Sequence, residues 1–266
     1  MTAQGGVRGQ GADARCVDFL RWALPRMGLR WRGYRRVRGQ VRKRLARRLA
    51  ALGLGDLDAY RERLEADASE WAVLDALCRI PISRFWRHAG LWRGLADALP
   101  ALARPARCWS AGCASGEEPY SLAILAASLD LPVEILATDA DEGMLARAPA
   151  AAYPPSSLKE LPADLRARAF ARDGDAWVLR PEFRGAVRFE RGDVREAMPP
   201  GPFHLVLHRY VAFTYFEEAG QRAVLEGIAA RVPPGGLLAI GAHERPPSGA
   251  AGWRPRTPSL LVRTGT

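Results

Sequence analysis

The chain has 266 residues, 48% of them hydrophobic and 26% charged, which suits one large domain or a core domain with a small companion. No apolar run reaches the roughly 18 residues that a membrane-spanning helix needs, and the first dozen residues lack the apolar centre of a signal peptide, so a cytoplasmic protein without membrane insertion is expected. The net charge of +10 is uneven: residues 1–60 hold 14 Arg and Lys against four acids, which accounts for the whole excess and implies a local partner surface.

In chain order, 1–14 reads as a disordered leader. From Arg15 to about Leu77 the pattern is helical. Tyr34, Val37, Val41, Leu45, Leu49 and Leu52 recur at three- and four-residue steps, with Arg35, Arg38, Arg42, Lys43 and Arg47 around them and Gly53 and Gly55 closing the helix. Tyr60, Leu64, Trp71, Leu74 and Leu77 continue in shorter helices. A basic helical domain over 15–80 is therefore expected, followed by a second domain over 81–266. There, short apolar runs alternate with helical stretches. Strands are expected at Arg107–Ala111, Val133–Thr138, Val187–Glu190, Phe203–His208 and Leu237–Ile240, with Ser259–Arg263 as a final edge strand. Helices are expected at Glu117–Ser128, where Pro119 sits in the tolerant first turn, and at Glu217–Ala230. Residues 246–258 read as a Pro/Gly loop. Strand–helix alternation of this kind predicts an α/β, doubly wound sheet. Cys16, Cys78, Cys108 and Cys113 form no CxxC pair and no His cluster accompanies them, so neither a zinc site nor a disulfide framework is expected.

The chemistry concentrates at Trp109–Tyr120, a strand running into a turn of small residues and then a helix. The first turn of a doubly wound sheet is where nucleotide-like ligands sit, and small residues let the backbone approach them. A dinucleotide fingerprint fails, because Gly112 and Gly116 are spaced G-x-x-x-G, and no Gly-Lys-Ser/Thr follows for a Walker loop. Glu117 and Glu118 stand where a pyrophosphate would lie. They repel an anion and suit a cation. S-adenosylmethionine carries a sulfonium and an ammonium, so the turn Ala111, Gly112, Gly116 with Glu117 reads as its cradle. Asp139, about twenty residues past Gly116 at the end of the next strand, matches a ribose-binding acid. An aspartate there also fits a helix N-cap. Asp193 follows the third strand, within reach of an adenine, and equally fits a turn. Pro233-Pro234-Gly235-Gly236 is a turn feeding a buried strand. Order and spacing together favour a class I, Rossmann-like methyltransferase.

Trp109–Leu125, "WSAGCASGEEPYSLAIL", strongly resembles the signature of the chemotaxis receptor methyltransferases, the CheR family of S-adenosylmethionine-dependent protein-glutamate O-methyltransferases. Ile82–Arg87 ("ISRFWR"), Ala137–Ala140 ("ATDA"), Tyr153, Leu158–Leu161, Phe203–Phe216 and Pro234–Glu244 match too, so the resemblance covers about residue 30 to the C-terminus. It implies that Ser83 and Arg87 face the cofactor and active site, Glu117 holds the methionyl ammonium, Asp139 the ribose, and Asp193 with Val194 the adenine. It also implies that His208 and Arg209 line the cofactor pocket and that Tyr215 lies near the transferred methyl. The sequence departs from the family pattern where Cys-Arg-Asn-Val becomes His208-Arg209-Tyr210-Val211, where the tract to Tyr215-Phe216 is one residue longer, and where Gly-His-Ser-Glu becomes Gly241-Ala242-His243-Glu244.

A carboxylate acceptor is already a nucleophile at pH 7, so alignment and water exclusion suffice and no strong base is required. Arg87 and Tyr215 are the candidate orienting groups. The competing reading is a surface arginine for the first and a core aromatic for the second. The basic helix (Arg35, Arg38, Arg42, Lys43, Arg47) is a candidate dock for an acidic protein substrate, such as a chemoreceptor or signalling protein. Nucleic acid ranks lower, because no RNA-binding module and no Asn/Asp-Pro-Pro-Tyr/Phe tract is present. Methylation of RNA or a small molecule, and a cofactor-binding regulator with a decayed acceptor site, remain alternatives.

Overall fold

The computed structural model describes residues 4–265. The chain divides into two units, Met1–Ile80 with Thr214–Glu217, and Pro81–Phe213 with Glu218–Thr266. Of the expected leader, residues 1–3 lie outside the described residues, and from Gln4 the backbone is helical.

The first unit contains α1 (Gln4–Arg26), α2 (Trp31–Tyr34), α3 (Arg38–Leu52), α4 (Leu57–Ala66) and α5 (Glu70–Cys78). On α1, Cys16, Phe19, Leu20, Ala23 and Leu24 are buried, the spacing of one helix face. Asp13 near its start pairs with Arg38 and Arg42 of α3, at 3.0 and 3.6 Å, which anchors a stretch whose glycines disfavour a helix on their own. Gly53 takes a left-handed backbone (φ 68°) and closes α3, donating its N–H to Ala50 while Leu54 donates to Leu49. Asp56 caps α4 through the N–H groups of Asp58 and Ala59. The segment 214–217 joins these helices by backbone pairing: Arg30 donates to the Tyr215 carbonyl at 2.8 Å and Glu217 donates to Gly28 at 2.8 Å. A Cβ on Gly33 would fall 2.4 Å from the Thr214 carbonyl oxygen, so only glycine allows that approach.

At the centre of this unit Glu70, 3% exposed, receives the Arg48 guanidinium and the Tyr60 hydroxyl (2.7 Å). Its charge is satisfied from two sides, and the hydrogen bonds from Arg48 hold its pKa below the ordinary value against the opposing pull of burial. A lowered carboxylate pKa stabilises the fold fully above the ordinary carboxylate range, and this contribution is lost as pH falls through the lowered value. Glu70→Ala is expected to cost about 2–3 kcal/mol in denaturant unfolding near pH 7. The difference from wild type should shrink in acid. A constant difference down to pH 3 would refute the assignment.

The second unit is built on a seven-stranded sheet. Its strands are β1 (Ala106–Ala111), β2 (Val133–Asp139), β6 (Val187–Arg191), β7 (Leu205–Leu207), β8 (Leu237–Ala239), β9 (Trp253–Thr257) and β10 (Leu260–Arg263), in the spatial order β6-β2-β1-β7-β8-β10-β9. The first five in that order run parallel, while β10 is antiparallel to both β8 and β9. Residues 260–263 are therefore an interior strand, not the expected edge. The edge is β9, which lies within the stretch read as a Pro/Gly loop. Pro255 and two arginines hid it, and an edge strand tolerates all three. The parallel strands β7 and β8 are buried along their whole length, as apolar runs with helices on both faces should be. The flanking helices are α6 (Ala89–Ala98), α7 (Glu117–Ser128), α8 (Glu142–Arg147), α9 (Ala163–Ala169), α10 (Ala212–Tyr215, divided between the units) and α11 (Glu218–Ala229).

A separate three-stranded antiparallel sheet, order β3-β5-β4, comprises β3 (Ala152–Tyr153), β4 (Phe170–Asp173) and β5 (Ala176–Leu179). Phe85 packs edge-on against Tyr153 (4.8 Å) and Phe170 (5.1 Å), and donates its N–H to Ser157. These contacts fix the strand-free segment 81–88 against the unit. In the large sheet the order turns at β1, with β2 on one side and β7 on the other. The crevice outside the carboxyl ends of those strands is where a ligand fits.

Candidate cofactor and acceptor site

β1 ends at Ala111, and the chain turns at Gly112 (φ 89°), where a Cβ would lie 2.5 Å from Val211. Gly112 and Cys113 both donate to the Thr138 carbonyl at the end of β2, at 2.8 and 3.0 Å. Ala114 donates to Asp139 Oδ2 at 2.8 Å, while Asp139 Oδ1 accepts the N–H of Asp141, also at 2.8 Å. Gly116 (φ 95°) then opens α7. A Cβ there would sit 3.1 Å from Phe189, Tyr120 and the Tyr153 hydroxyl. Both glycines are required by conformation and by crowding. The cap of α8 is Asp141, whose side chain accepts the N–H of Met144. Asp139 instead binds the turn to the end of β2.

The two glutamates part company. Glu118 accepts the Ser110 hydroxyl at 2.8 Å and pairs with Arg209 at 3.0 Å, an ion pair whose side chains are only 12% and 3% exposed. Glu117, 4% exposed, has hydroxyl partners: Ser115 at 3.0 Å, and Ser83. Among the described residues no cation lies within ion-pair distance of it. Burial raises its pKa above the ordinary value. It is a desolvated carboxylate short of a counter-cation, next to a backbone cradle with no room for side chains. That donor set fits an ammonium-bearing ligand.

Segment 81–88 runs alongside. Trp86 donates its N–H to Ser121 Oγ (3.1 Å), which in turn donates to the Glu117 carbonyl at 2.6 Å. Arg209 donates to the Arg87 carbonyl at 2.7 Å. The Arg87 guanidinium lies 3.9 Å above the Tyr210 ring. It gives a hydrogen bond to the Ile82 carbonyl at 2.7 Å, and no carboxylate among the described residues pairs with it. Burial lowers its pKa, with Arg209 and Arg84 acting in the same direction. Tyr210 and Glu244 lie in stretches where the sequence departs from the family pattern, and the sequence assigns neither a role. An aromatic and an acid after separate strands carry no spacing signal.

Residues 20–77 match the family described as "CheR methyltransferase, all-alpha domain", and residues 82–255 match "CheR methyltransferase, SAM binding domain". The chain belongs to the CheR methyltransferase family. It is 34% identical over 196 residues to a chemotaxis protein methyltransferase of Listeria innocua, covering 70% of this chain and 73% of the relative. It is also 34% identical over 218 residues to chemotaxis protein methyltransferase 2 of Pseudomonas aeruginosa, covering 77% of each. A third relative, the chemotaxis protein methyltransferase of Salmonella typhimurium, is 34% identical over 219 residues, covering 78% of this chain and 76% of the relative. The protein is thus an S-adenosylmethionine-dependent methyltransferase of CheR type on a Rossmann-like sheet. Among the described residues no helix is long and apolar enough to cross a membrane.

The remaining residues implied by the CheR resemblance fall as follows. Asp193 holds the Arg195 N–H and guanidinium, at 2.9 and 2.7 Å, with Val194 half-buried beside it. It is the turn residue after β6. His208, at the end of β7, is wholly buried and accepts the Ala212 N–H at 3.2 Å; burial pushes its pKa down to about 4. It is a buried, neutral imidazole. Tyr215 falls in the 214–217 segment of the helical unit, 4.9 Å from the Tyr34 ring. Ser83, Arg87, Gly112, Gly116, Glu117, Asp139 and Arg209 belong to the second unit.

Proposed function

We propose that the chain methylates glutamate carboxylates of an acidic, helical protein substrate in the cytoplasm, a chemoreceptor or related signalling protein. The observation that supports this best is Arg87: a half-buried guanidinium 3.9 Å over the Tyr210 ring, beyond the carboxyl end of β7, with no carboxylate partner among the described residues. A planar guanidinium receives a carboxylate through two parallel N–H groups.

S-adenosylmethionine supplies an electrophilic sulfonium methyl. In this reading Glu117 holds the methionyl ammonium, with Ser83 and Ser115 orienting the carboxylate. The Gly112–Gly116 backbone lies against the methionyl chain and Asp139 takes the ribose, while Asp193 and Val194 border the adenine. Arg87 then aligns the acceptor carboxylate, already ionised at pH 7, so no side chain has to remove a proton. His208, neutral and buried, and Arg209 line the pocket, and Tyr215 is a second candidate for orienting the acceptor.

Transfer of label from S-adenosylmethionine into host-cell lysate tests the reading. Base-labile label in protein is expected. Label in RNA or a small solute would replace the acceptor class, and tight cofactor binding with no transfer would indicate a regulator.

The basic surface of α3 supports the same substrate, with a revision of its members. Arg38 and Arg42 are half-buried and engaged with Asp13. Arg35, Lys43 and Arg47 are exposed, and no acid among the described residues pairs with them. Lys43→Glu combined with Arg47→Glu is expected to slow protein labelling at least tenfold, with cofactor affinity unchanged. Raising salt from 0.05 to 0.5 M should slow wild type in the same manner, as surface charges are screened. An unaffected rate in the double variant would remove this face from substrate docking.

A further inference from the structure

We propose that Tyr210 is a positioning residue for methyl transfer, its ring serving as the platform that fixes the Arg87 guanidinium toward the acceptor. The inference rests on the acceptor reading above and concerns a position where the family pattern has asparagine, a residue without a ring.

Three observations carry it. Tyr210 stands three residues past β7, the neighbour of β1 where the sheet order turns, and its backbone is left-handed (φ 60°), a conformation that a bulky residue adopts only when its surroundings impose it. Those surroundings are specific. The Tyr210 N–H donates to Glu244 Oε2 at 3.0 Å, and the same oxygen accepts the Gly241 N–H at 2.6 Å. The Tyr210 hydroxyl accepts the Ala242 N–H at 3.1 Å. A Cβ on Gly241 would fall 2.6 Å from the ring, so glycine is needed for the ring to lie there. Both ends of the tyrosine are thus clamped by the loop after β8. The third observation is what the clamped ring carries. Arg87 sits 3.9 Å over its face, and the His88 ring lies 5.7 Å away, with His243 beyond it. A guanidinium held over a ring face spends no N–H on the ring, and with one nitrogen on the Ile82 carbonyl its other N–H groups remain to meet a planar carboxylate. Without the ring, a long flexible side chain would sample several rotamers, and alignment would be lost while the cofactor cradle stayed intact.

The test compares Tyr210→Leu, Tyr210→Phe, Arg87→Ala and the Tyr210→Leu/Arg87→Ala double variant, using label transfer into host-cell lysate and calorimetric titration with S-adenosylhomocysteine. Tyr210→Leu should lower the transfer rate at least tenfold and leave the S-adenosylhomocysteine Kd within threefold. Tyr210→Phe, which keeps the platform, should stay within threefold of wild type in both. The double variant should be no slower than Arg87→Ala, because the ring acts only through the arginine. Additive losses, or a Tyr210→Leu rate equal to wild type, would overturn the proposal. Should Tyr210→Leu fail to fold, NMR of arginine-labelled wild type and Tyr210→Phe still decides. The Arg87 side-chain protons must be shifted upfield by the ring in both, and unshifted protons would refute the stacking. Label found in RNA or a small solute would end the carboxylate reading, yet the same rate comparison on that acceptor still judges Tyr210. No transfer to any fraction overturns both.

Discussion

Asp139→Ala is expected to weaken S-adenosylhomocysteine binding at least 100-fold, measured by calorimetric titration. Two losses combine. The carboxylate bridges the Ala114 N–H in the Gly-rich turn and the Asp141 N–H beyond β2, both at 2.8 Å, so its removal frees the turn from the neighbouring strand. On the proposed assignment the ribose also loses a charge-assisted partner, worth about 1.5–3 kcal/mol. A 100-fold change in Kd is about 2.7 kcal/mol, within reach of that second loss alone. Asp139→Asn separates the two. Its carbonyl oxygen can still accept one backbone N–H, so most of the turn should survive while the charge goes, and a loss of about tenfold is expected, near half of the alanine effect in free energy. Thermal melting of the ligand-free proteins should follow the turn: lower for Asp139→Ala, close to wild type for Asp139→Asn. Unchanged affinity in Asp139→Ala would overturn the ribose assignment.

The parts of the fold that could be read from the sequence are those where one physical signal dominates. Parallel strands buried on both faces need uninterrupted apolar runs, and Leu205–Leu207 and Leu237–Ala239 lie inside the runs expected at 203–208 and 237–240. The α7 helix was legible because Gly116, Pro119 and an apolar run mark its start. The small sheet β3-β5-β4 was not legible. Its strands have two to four residues, and in β4 only Phe170 is buried while Ala171, Arg172 and Asp173 are exposed, so no period shows. The edge strand β9 was masked by Pro255, and with it the interior place of β10. In the site, motif spacing located Gly112, Gly116, Glu117 and Asp139, residues that lie along one strand–turn–helix and its neighbour. Spacing could not divide the labour between Glu117 and Glu118, because that depends on Arg209, 91 positions away from Glu118. Nor could it show that Tyr215 packs on Tyr34, or that Tyr210 lies under Arg87. Those pairings are set by tertiary packing between segments far apart in the chain.

Glu117→Gln is expected to lower S-adenosylhomocysteine affinity about 10- to 100-fold, the cost of removing one ionic hydrogen bond of about 1.5–3 kcal/mol. Stability should move the other way. Glu117 is buried with hydroxyl partners and its pKa is raised, so only between the ordinary and the raised values does the ligand-free native state hold a proton that the unfolded chain has released. A raised acid pKa means that stability falls as pH rises from the ordinary value through the raised one, and above that window the fold bears the full cost of an unpaired buried charge. Glutamine carries no such cost. The ligand-free variant should therefore melt at or above the wild-type temperature at pH 7.5 while binding worse, a combination that a merely unfolding variant cannot produce. The ammonium of the ligand offsets the buried charge, so wild-type affinity should decline as pH falls through the raised pKa and Glu117 takes up its proton. In Glu117→Gln the affinity should be flat over the same window. A wild-type affinity insensitive to pH, or a variant that binds as wild type does, would show that the ammonium is held elsewhere. A variant that melts well below wild type would show that Glu117 serves the fold before the ligand. On the proposed assignment the two readouts would place the balance at one carboxylate: its burial without a cation would cost stability in the free enzyme, and the same burial would make the site selective for a positively charged ligand.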